Sequence, residues 1–140
     1  MAELILATPV LRGNSDVITN YDVEATVEAG TAVSLDSNAF VSKFDGSKEL
    51  AGVAGFEEIG KRQSVIKAAL GVAVKIEADA TPVIGEKVYV DEATGLFTSN
   101  DAKTPTRATW ASEKGDAVNP RTNTIVANCA AIDFIGGLNG

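Results

Sequence analysis

The sequence predicts an all-β fold, either a jelly-roll-like sandwich or a small barrel, on three observations. Val, Ala and Ile supply most of its apolar residues and aromatics are few; β-branched side chains suit a pleated, half-buried surface. Thirteen glycines supply turns, and no long Leu/Glu/Lys stretch with helical period appears. The third observation is a hairpin pattern present twice. In Gly85–Ser99, GEKVYVDEATGLFTS, Val88-Tyr89-Val90 is a strand run, Asp91–Gly95 is turn chemistry and Leu96-Phe97-Thr98 begins the return strand. Gly95 fits a position that needs positive φ. In Gly30–Ser42, GTAVSLDSNAFVS, Gly30 matches Gly85, Val33 matches Val88, Asp36 matches Asp91 and Phe40 matches Phe97 with a shorter loop. The lead-in Val23-Glu24-Ala25 likewise matches Ile76-Glu77-Ala78, which suggests an internal pseudo-repeat.

Taken in order, residues 1–13 form an N-terminal arm or edge strand. Leu4–Ala7 reads as strand and Pro9–Gly13 as an extended arm, because Pro9 cannot donate to a central ladder and holds Thr8 extended. Residues 14–135 then read as one β domain. Asn14-Ser15-Asp16 is a turn, Val17–Thr19 and Tyr21–Val27 are strand material, and the first hairpin ends near Phe44. After the turn at Asp45-Gly46-Ser47 comes Leu50–Phe56, LAGVAGF, whose Gly52 and Gly55 allow another backbone or subunit to approach closely. Glu57–Gly60 reads as a loop. Lys61–Leu70, KRQSVIKAAL, fits either period: helical spacing groups Ile59, Ile66, Ala69 and Leu70, while alternation groups Ile66, Ala68 and Leu70. The Val65-Ile66 pair favours strand, with a short helix as the alternative.

Gly71–Ala78 alternates clearly, with Val72, Val74 and Ile76 on one side, as in a half-buried strand. Pro82 bends the chain before the second hairpin. Asn100–Arg107 reads as a polar loop, Ala108–Ala111 carries the single tryptophan, Trp110, and Ser112–Asn123 reads as a long polar loop with Pro120. Thr124–Ile135, TIVANCAAIDFI, is a buried last strand interrupted near Cys129. Residues 136–140 form a flexible, Gly-rich tail. The count is about eight to ten strands, in the range of sandwiches and small barrels.

A chain of 140 residues buries about two-thirds of its unfolded surface without needing staples. The net charge of −7 comes from scattered acids, which fits a solvated surface and disfavours binding to a phosphate backbone. No apolar run approaches a membrane span, and MAELILATPV lacks the positive start of a signal peptide. The single cysteine excludes an intrachain disulfide framework and points to a reducing cytoplasm.

Histidine is absent, which removes His-based acid–base work, Ser-His triads and histidine metal sites. Cys129 lies in an apolar run with no base beside it and reads as a small core residue. Asp91-Glu92 and Glu57-Glu58 are adjacent carboxylates placed in loops, where solvated turns explain them better than paired catalysis. Asp91–Gly95 lacks EF-hand spacing, and no phosphate-cradling glycine motif occurs. No enzyme, cofactor or metal is therefore expected. The candidate interface residues are Pro9, Val10, Leu11 and Arg12 on the arm, and Trp110, since Trp and Arg are enriched in interface hot spots. Trp110 packed over one end of the core is the alternative.

The phrase GVAVKIEADATPVIGEKVYVDEATGLFTS resembles the recurring core of capsid cement, or head decoration, proteins of tailed bacteriophages. The matching positions are Gly71-Val72-Ala73, Gly85, Val88-Tyr89-Val90-Asp91, Thr94-Gly95 and Phe97-Thr98, with Leu50–Gly55 resembling a further strand of that family. The resemblance covers about residues 20–100. It implies a virion protein made in the host bacterial cytoplasm, which binds the outer face of an icosahedral shell as a homodimer or homotrimer. Its partner would be the major capsid protein, with no nucleic acid or membrane contact, and the length would favour a jelly roll. A phage tail or fibre subunit and a carbohydrate-binding β-sandwich module are the competing readings. The module is disfavoured by the scarcity of aromatics.

Overall fold

A computed structural model describes residues 4–11, 17–23, 26–58, 62–135 and 137–139. In chain order its strands are β1 (Leu4–Ile5), β2 (Pro9–Leu11), β3 (Val17–Val23), β4 (Ala32–Leu35), β5 (Phe40–Lys43), β6 (Gly52–Glu58), β7 (Arg62–Lys75), β8 (Lys87–Val90), β9 (Phe97–Thr98), β10 (Thr104–Trp110), β11 (Gly115–Asn119) and β12 (Thr124–Phe134). No helix is present among the described residues, so the expected all-β class holds, as a small-barrel architecture.

Strand β7 organises the fold. Its first half pairs antiparallel with β3 on one edge and β6 on the other; its second half pairs antiparallel with β12 and β2. With neighbours on both edges and apolar contacts on both faces, Ser64–Val74 shows neither a pure two-residue nor a pure helical period. That explains the ambiguity of Lys61–Leu70, and the described part of it, Arg62–Leu70, is strand. At Gly71 the backbone turns to φ +68 and its N–H donates to Asp133 Oδ1 at 2.6 Å. Positive φ suits glycine and lets one strand pass from one ring to another.

The first ring is a closed barrel of five strands in the order β3-β5-β4-β6-β7, with β7 returning to β3. Its interior takes Val23, Val33, Val41, Ala54 and Val65, one from each strand, together with Val27. The second half repeats this path as β7-β9-β8-β10-β12. It closes where β12 pairs with β7 and where Ile76 forms a parallel bridge to Phe97. The counterpart closure in the first barrel is the parallel pair Asp22↔Phe40, Val23↔Val41.

The correspondence extends to single hydrogen bonds. Gly30 N donates to Ala54 O at 2.8 Å, as Gly85 N donates to Trp110 O at 2.8 Å. Ala54 N donates to Thr31 O and Trp110 N to Glu86 O, at 2.8 and 2.9 Å. Gly30 and Gly85 have φ of +87 and +90. The pseudo-repeat seen in the sequence is therefore a repeated barrel.

The second interior holds Ile76, Val88, Phe97, Trp110 and Ile132, the counterparts of Val23, Val33, Val41, Ala54 and Val65. Its hydrophobic cluster continues into Ala32, Phe44, Leu50, Val53 and Ile66 on the outer face of the first barrel, so the two rings share packing. Where the first barrel has Ala54 and a buried Gln63, the second has Trp110 and Ala130. A large residue opposite a small one fills each interior, with the order exchanged. Gly52 and Gly55 do permit close approach, since an added Cβ would collide with Ile66 O and Ser64 Oγ on β7.

Several boundaries differ from expectation. Pro9–Leu11 is not an arm: it is paired with Leu70 and Val72, with Pro9 as the first strand residue, the position where its missing N–H is tolerated. Leu4–Ile5 pairs in parallel with Ala117–Val118, and Leu6 is buried in the core. Glu57 and Glu58 belong to β6, not to a loop. Thr104–Arg107 belongs to β10, with Pro105 opposite Tyr89. Gly115–Asn119, expected within a loop, is β11 between β1 and β12. The break near Cys129 is real, with Asn128 at φ +59. Leu138 and Asn139, expected in a free tail, are held: Leu138 is fully buried, its O accepts Arg107 N at 3.0 Å, and Asn139 bridges Thr106. The polar composition of these segments hides strands whose partners lie far away in sequence.

Candidate functional site

The hairpin turns carry most of the clustered carboxylates. Asp36 Oδ1 accepts from Asn38 N at 2.8 Å and Phe40 N at 2.9 Å, bracing the β4–β5 turn. In the β8–β9 turn, Asp91 Oδ1 accepts from Ala93 N at 2.9 Å and its carbonyl accepts from Gly95 N at 2.7 Å. The Ala93 N–H, helped by a hydrogen bond with Glu77 and the Lys103 ammonium 3.6 Å away, holds the Asp91 carboxyl below its ordinary range. Glu77 accepts from Thr94 Oγ1 at 2.7 Å, which favours its charged form. Partial burial and the neighbouring Asp91 and Asp79 outweigh that bond, and its carboxyl is raised. Glu92 accepts from Thr104 Oγ1 at 2.8 Å, which lowers its carboxyl. These acids tie a turn to the strands beside it, a structural role consistent with the Asx-turn habit of such residues.

An open cleft of about 770 Å³ lies between the mouth of the first barrel and the β8–β9 turn. Its charged lining is mixed, with Lys43, Lys48 and Lys75 facing Glu28 and Asp36. Lys75 is already ion-paired with Glu28. Among the described residues, no group of three or more His, Cys, Asp and Glu is placed to hold a metal, and no helix is long and apolar enough to cross a membrane. Cys129 is fully buried, and burial pushes its thiol up to about 11. Such a thiol is a core group rather than a nucleophile.

The candidate interface residues do not come together. Pro9, Val10 and Leu11 lie along β7, Arg12 lies outside the described residues, and Trp110 is the last residue of β10. Its side chain is 2 % exposed, inside the second barrel, so it packs the core and presents no surface to a partner. The reading beside polar loops fails because β10 begins earlier, at Thr104.

Among the described residues, the exposed large aliphatics are instead Ile5, Val83, Ile84, Ile125 and Ile135. Ile5, Val118 and Ile125 align across β1, β11 and β12, since Ile5 pairs with Val118 and Val118 with Ile125. The register-related Leu4, Ala117 and Val126 turn inward to the core. The adjacent apolar residues Ile125 and Val126 gave no alternation to mark this row, and nothing local shows that β1 and β11 lie beside it.

The fold and its surfaces define a double-barrel β protein whose turn acids are structural braces. No protein-family model matches the chain, and no curated protein sequence matches it significantly.

Proposed function

We propose that this chain is a capsid cement protein of a tailed bacteriophage. In this reading it is a structural virion component without catalytic activity that binds the outside of the icosahedral shell and clamps neighbouring major capsid protein subunits. The observation that carries the reading is the resemblance over Gly71–Ser99. That stretch is a physical unit: the second half of β7, the Pro82 bend and the β8–β9 hairpin, with Val72, Val74, Ile76, Val88, Val90 and Phe97 buried. The architecture supports it in a second way. Two barrels sharing β7 and a continuous core make a stiff body, as a clamp requires, and turn acids brace both hairpins.

The mechanism follows from that stiffness. Pro9–Leu11 is already paired within its own fold, so strand addition by that segment is not the binding mode. The rigid surface makes the contact, and many copies on a symmetric shell give lasting occupancy even when each contact is weak. The acidic balance, −7 overall, fits an exterior protein with no role at the packaged nucleic acid. The carbohydrate-module reading is disfavoured because the single tryptophan is buried and offers no stacking platform.

The test is co-sedimentation of purified protein with expanded, undecorated capsids of the matching phage, with unexpanded shells alongside. Saturable binding to expanded shells, with improved resistance to heating, is expected. Absence of binding to either shell refutes the cement role and moves the tail or fibre reading ahead of it.

A further inference from the structure

The described lysines fall into two groups. Lys75 is ion-paired with Glu28, and Lys103 with Asp91. Lys67 donates to the Tyr21 hydroxyl at 3.0 Å, Lys114 donates to the Ala78 carbonyl, and the Lys87 ammonium lies over the Tyr89 ring. Lys43 and Lys48 form no ion pair or side-chain hydrogen bond among the described residues, and both line the cleft of about 770 Å³ at the mouth of the first barrel. The acids of that cleft are already engaged. Glu28 holds Lys75, and Asp36 is turned to the Asn38 and Phe40 N–H groups of its own hairpin. Asp45, outside the lining, feels the charge of Lys48 but accepts from Ser47.

The second barrel shows a different treatment of the same place. Val33 pairs with Lys43, and the corresponding position to Lys43 is Ser99, one step beyond the Tyr89–Thr98 pair. Ser99 Oγ accepts from Thr81 N at 2.9 Å, which ties the chain after Ala80 to the end of β9. Lys43 makes no such tie. Its stem instead crosses Gly95 of the β8–β9 turn, where an added Cβ would lie 2.7 Å from Lys43 Cγ and 3.0 Å from Cδ. A lysine stem laid on protein with the ammonium beyond it presents charge beside an apolar surface. That surface is present. Val27 and Val41 in the lining are buried, and Phe40 and Leu96, equivalent residues of the two hairpins, are half-buried. Thr26, Ser42 and Thr94 add exposed hydroxyls.

We propose that this cleft binds an extended acidic peptide segment of a partner protein. An aliphatic side chain of the segment rests on Val27, Phe40, Val41 and Leu96, and its carboxylates pair with Lys43 and Lys48. The lining selects among anions. Glu28, Asp36 and the overall charge of −7 repel a continuous phosphate chain, which disfavours nucleic acid. A small inorganic anion leaves the apolar floor uncovered. A peptide carrying both groups uses both, and the seam between two packed units is a common place for a ligand cleft. The inference stands on the cleft and does not depend on capsid binding.

The test is a titration of the isotope-labelled full chain, followed by amide chemical shifts, with the peptides acetyl-ELLE-amide, acetyl-QLLQ-amide and acetyl-EGGE-amide. In an extended chain each face of ELLE carries one leucine and one glutamate. The expected result is saturable shifts at Val27, Phe40, Val41 and Leu96, largest with ELLE and reduced by added salt. The chain as a whole repels an acidic peptide, so a preference for ELLE over QLLQ reports the local lysines. Lys43→Gln and Lys48→Gln should each weaken ELLE binding roughly two- to fivefold. Lys87→Gln, outside the cleft lining, should leave it unchanged. All three side chains are exposed, so folding is not at stake. No saturable shift at millimolar peptide, equal binding of QLLQ or EGGE, or indifference to both cleft variants would overturn the proposal. Shifts at the same residues on raising the protein concentration without peptide would assign the cleft to a second copy and overturn it too.

Discussion

Replacing Gln63 by leucine removes a polar clasp inside the first barrel. The Gln63 side chain is fully buried on β7. Its Oε1 accepts from Val27 N at 2.9 Å, and its Nε2 donates to Val27 O at 2.6 Å and to Gly55 O at 3.1 Å. Leucine has similar volume, so packing changes little while the buried N–H and C=O of Val27 lose their partner. Each buried group left unpaired costs about 1–3 kcal/mol, partly offset by burying an apolar side chain in place of an amide. The expected loss is about 3 kcal/mol, read as roughly a 10 °C fall in Tm for a domain of this size.

Gln63→Glu separates the hydrogen bonds from the volume. A protonated carboxyl can still donate to Val27 O, whereas a carboxylate would face two carbonyls in a dry interior. Burial therefore raises the folded pKa above the unfolded value of about 4.3. The sign follows: the variant is closest to wild type below about pH 4 and loses stability as pH rises towards the raised folded value. Urea denaturation of the three proteins between pH 3 and 8 is the assay. A Gln63→Leu variant within about 0.5 kcal/mol of wild type, or a Gln63→Glu variant whose deficit does not grow with pH, would refute the reasoning.

Other outcomes follow from the same geometry. Gly85→Ala meets open space and should cost only the left-handed backbone penalty of about 1 kcal/mol, while Gly30→Ala adds a clash with Leu6 and the Lys75 backbone and should cost about 3 kcal/mol; equal values from chemical denaturation of dilute protein would contradict the covered surroundings of Gly30 and the open surroundings of Gly85. Leu6→Ala should destabilise by about 2–5 kcal/mol, because Leu6 is a core residue; a change below about 0.5 kcal/mol in the same assay would show that Leu6 does not pack the core. Cys129, with its thiol pushed up to about 11 by burial, should be silent to a thiol reagent at pH 8 in native protein and react on unfolding. Rapid native labelling would show that β12 opens there.

Much of the hairpin architecture was legible because its signals are local. Gly85, Asp91 and Gly95 mark a turn by their own backbone preferences, and the alternation of Val72, Val74 and Ile76 marks a strand by itself. The repeat was legible for the same reason, since Gly30, Val33 and Asp36 restate the pattern; Phe40 was matched one residue out of register, because Val41 meets Val23 as Phe97 meets Ile76, and Phe40 takes the place of Leu96. Segments whose state depends on distant partners were not. Thr104–Arg107 and Gly115–Asn119 look like polar loops until β8, β12 and β1 lie beside them.

The candidate site was less legible than the fold. Burial of Trp110 and exposure of Ile84 are set by which barrel face meets which, and an isolated residue type carries no record of that. By itself the sequence determined an all-β chain with two like hairpin modules, since residue spacing and turn chemistry act over a few neighbours. Only the tertiary structure decided that β7 closes both barrels, that Leu4–Leu11 and Leu138–Asn139 are stitched in, and that Gly30 is covered while its counterpart Gly85 faces solvent. Those outcomes depend on pairings between residues far apart in sequence, whose stabilisation appears only once the chain has closed on itself.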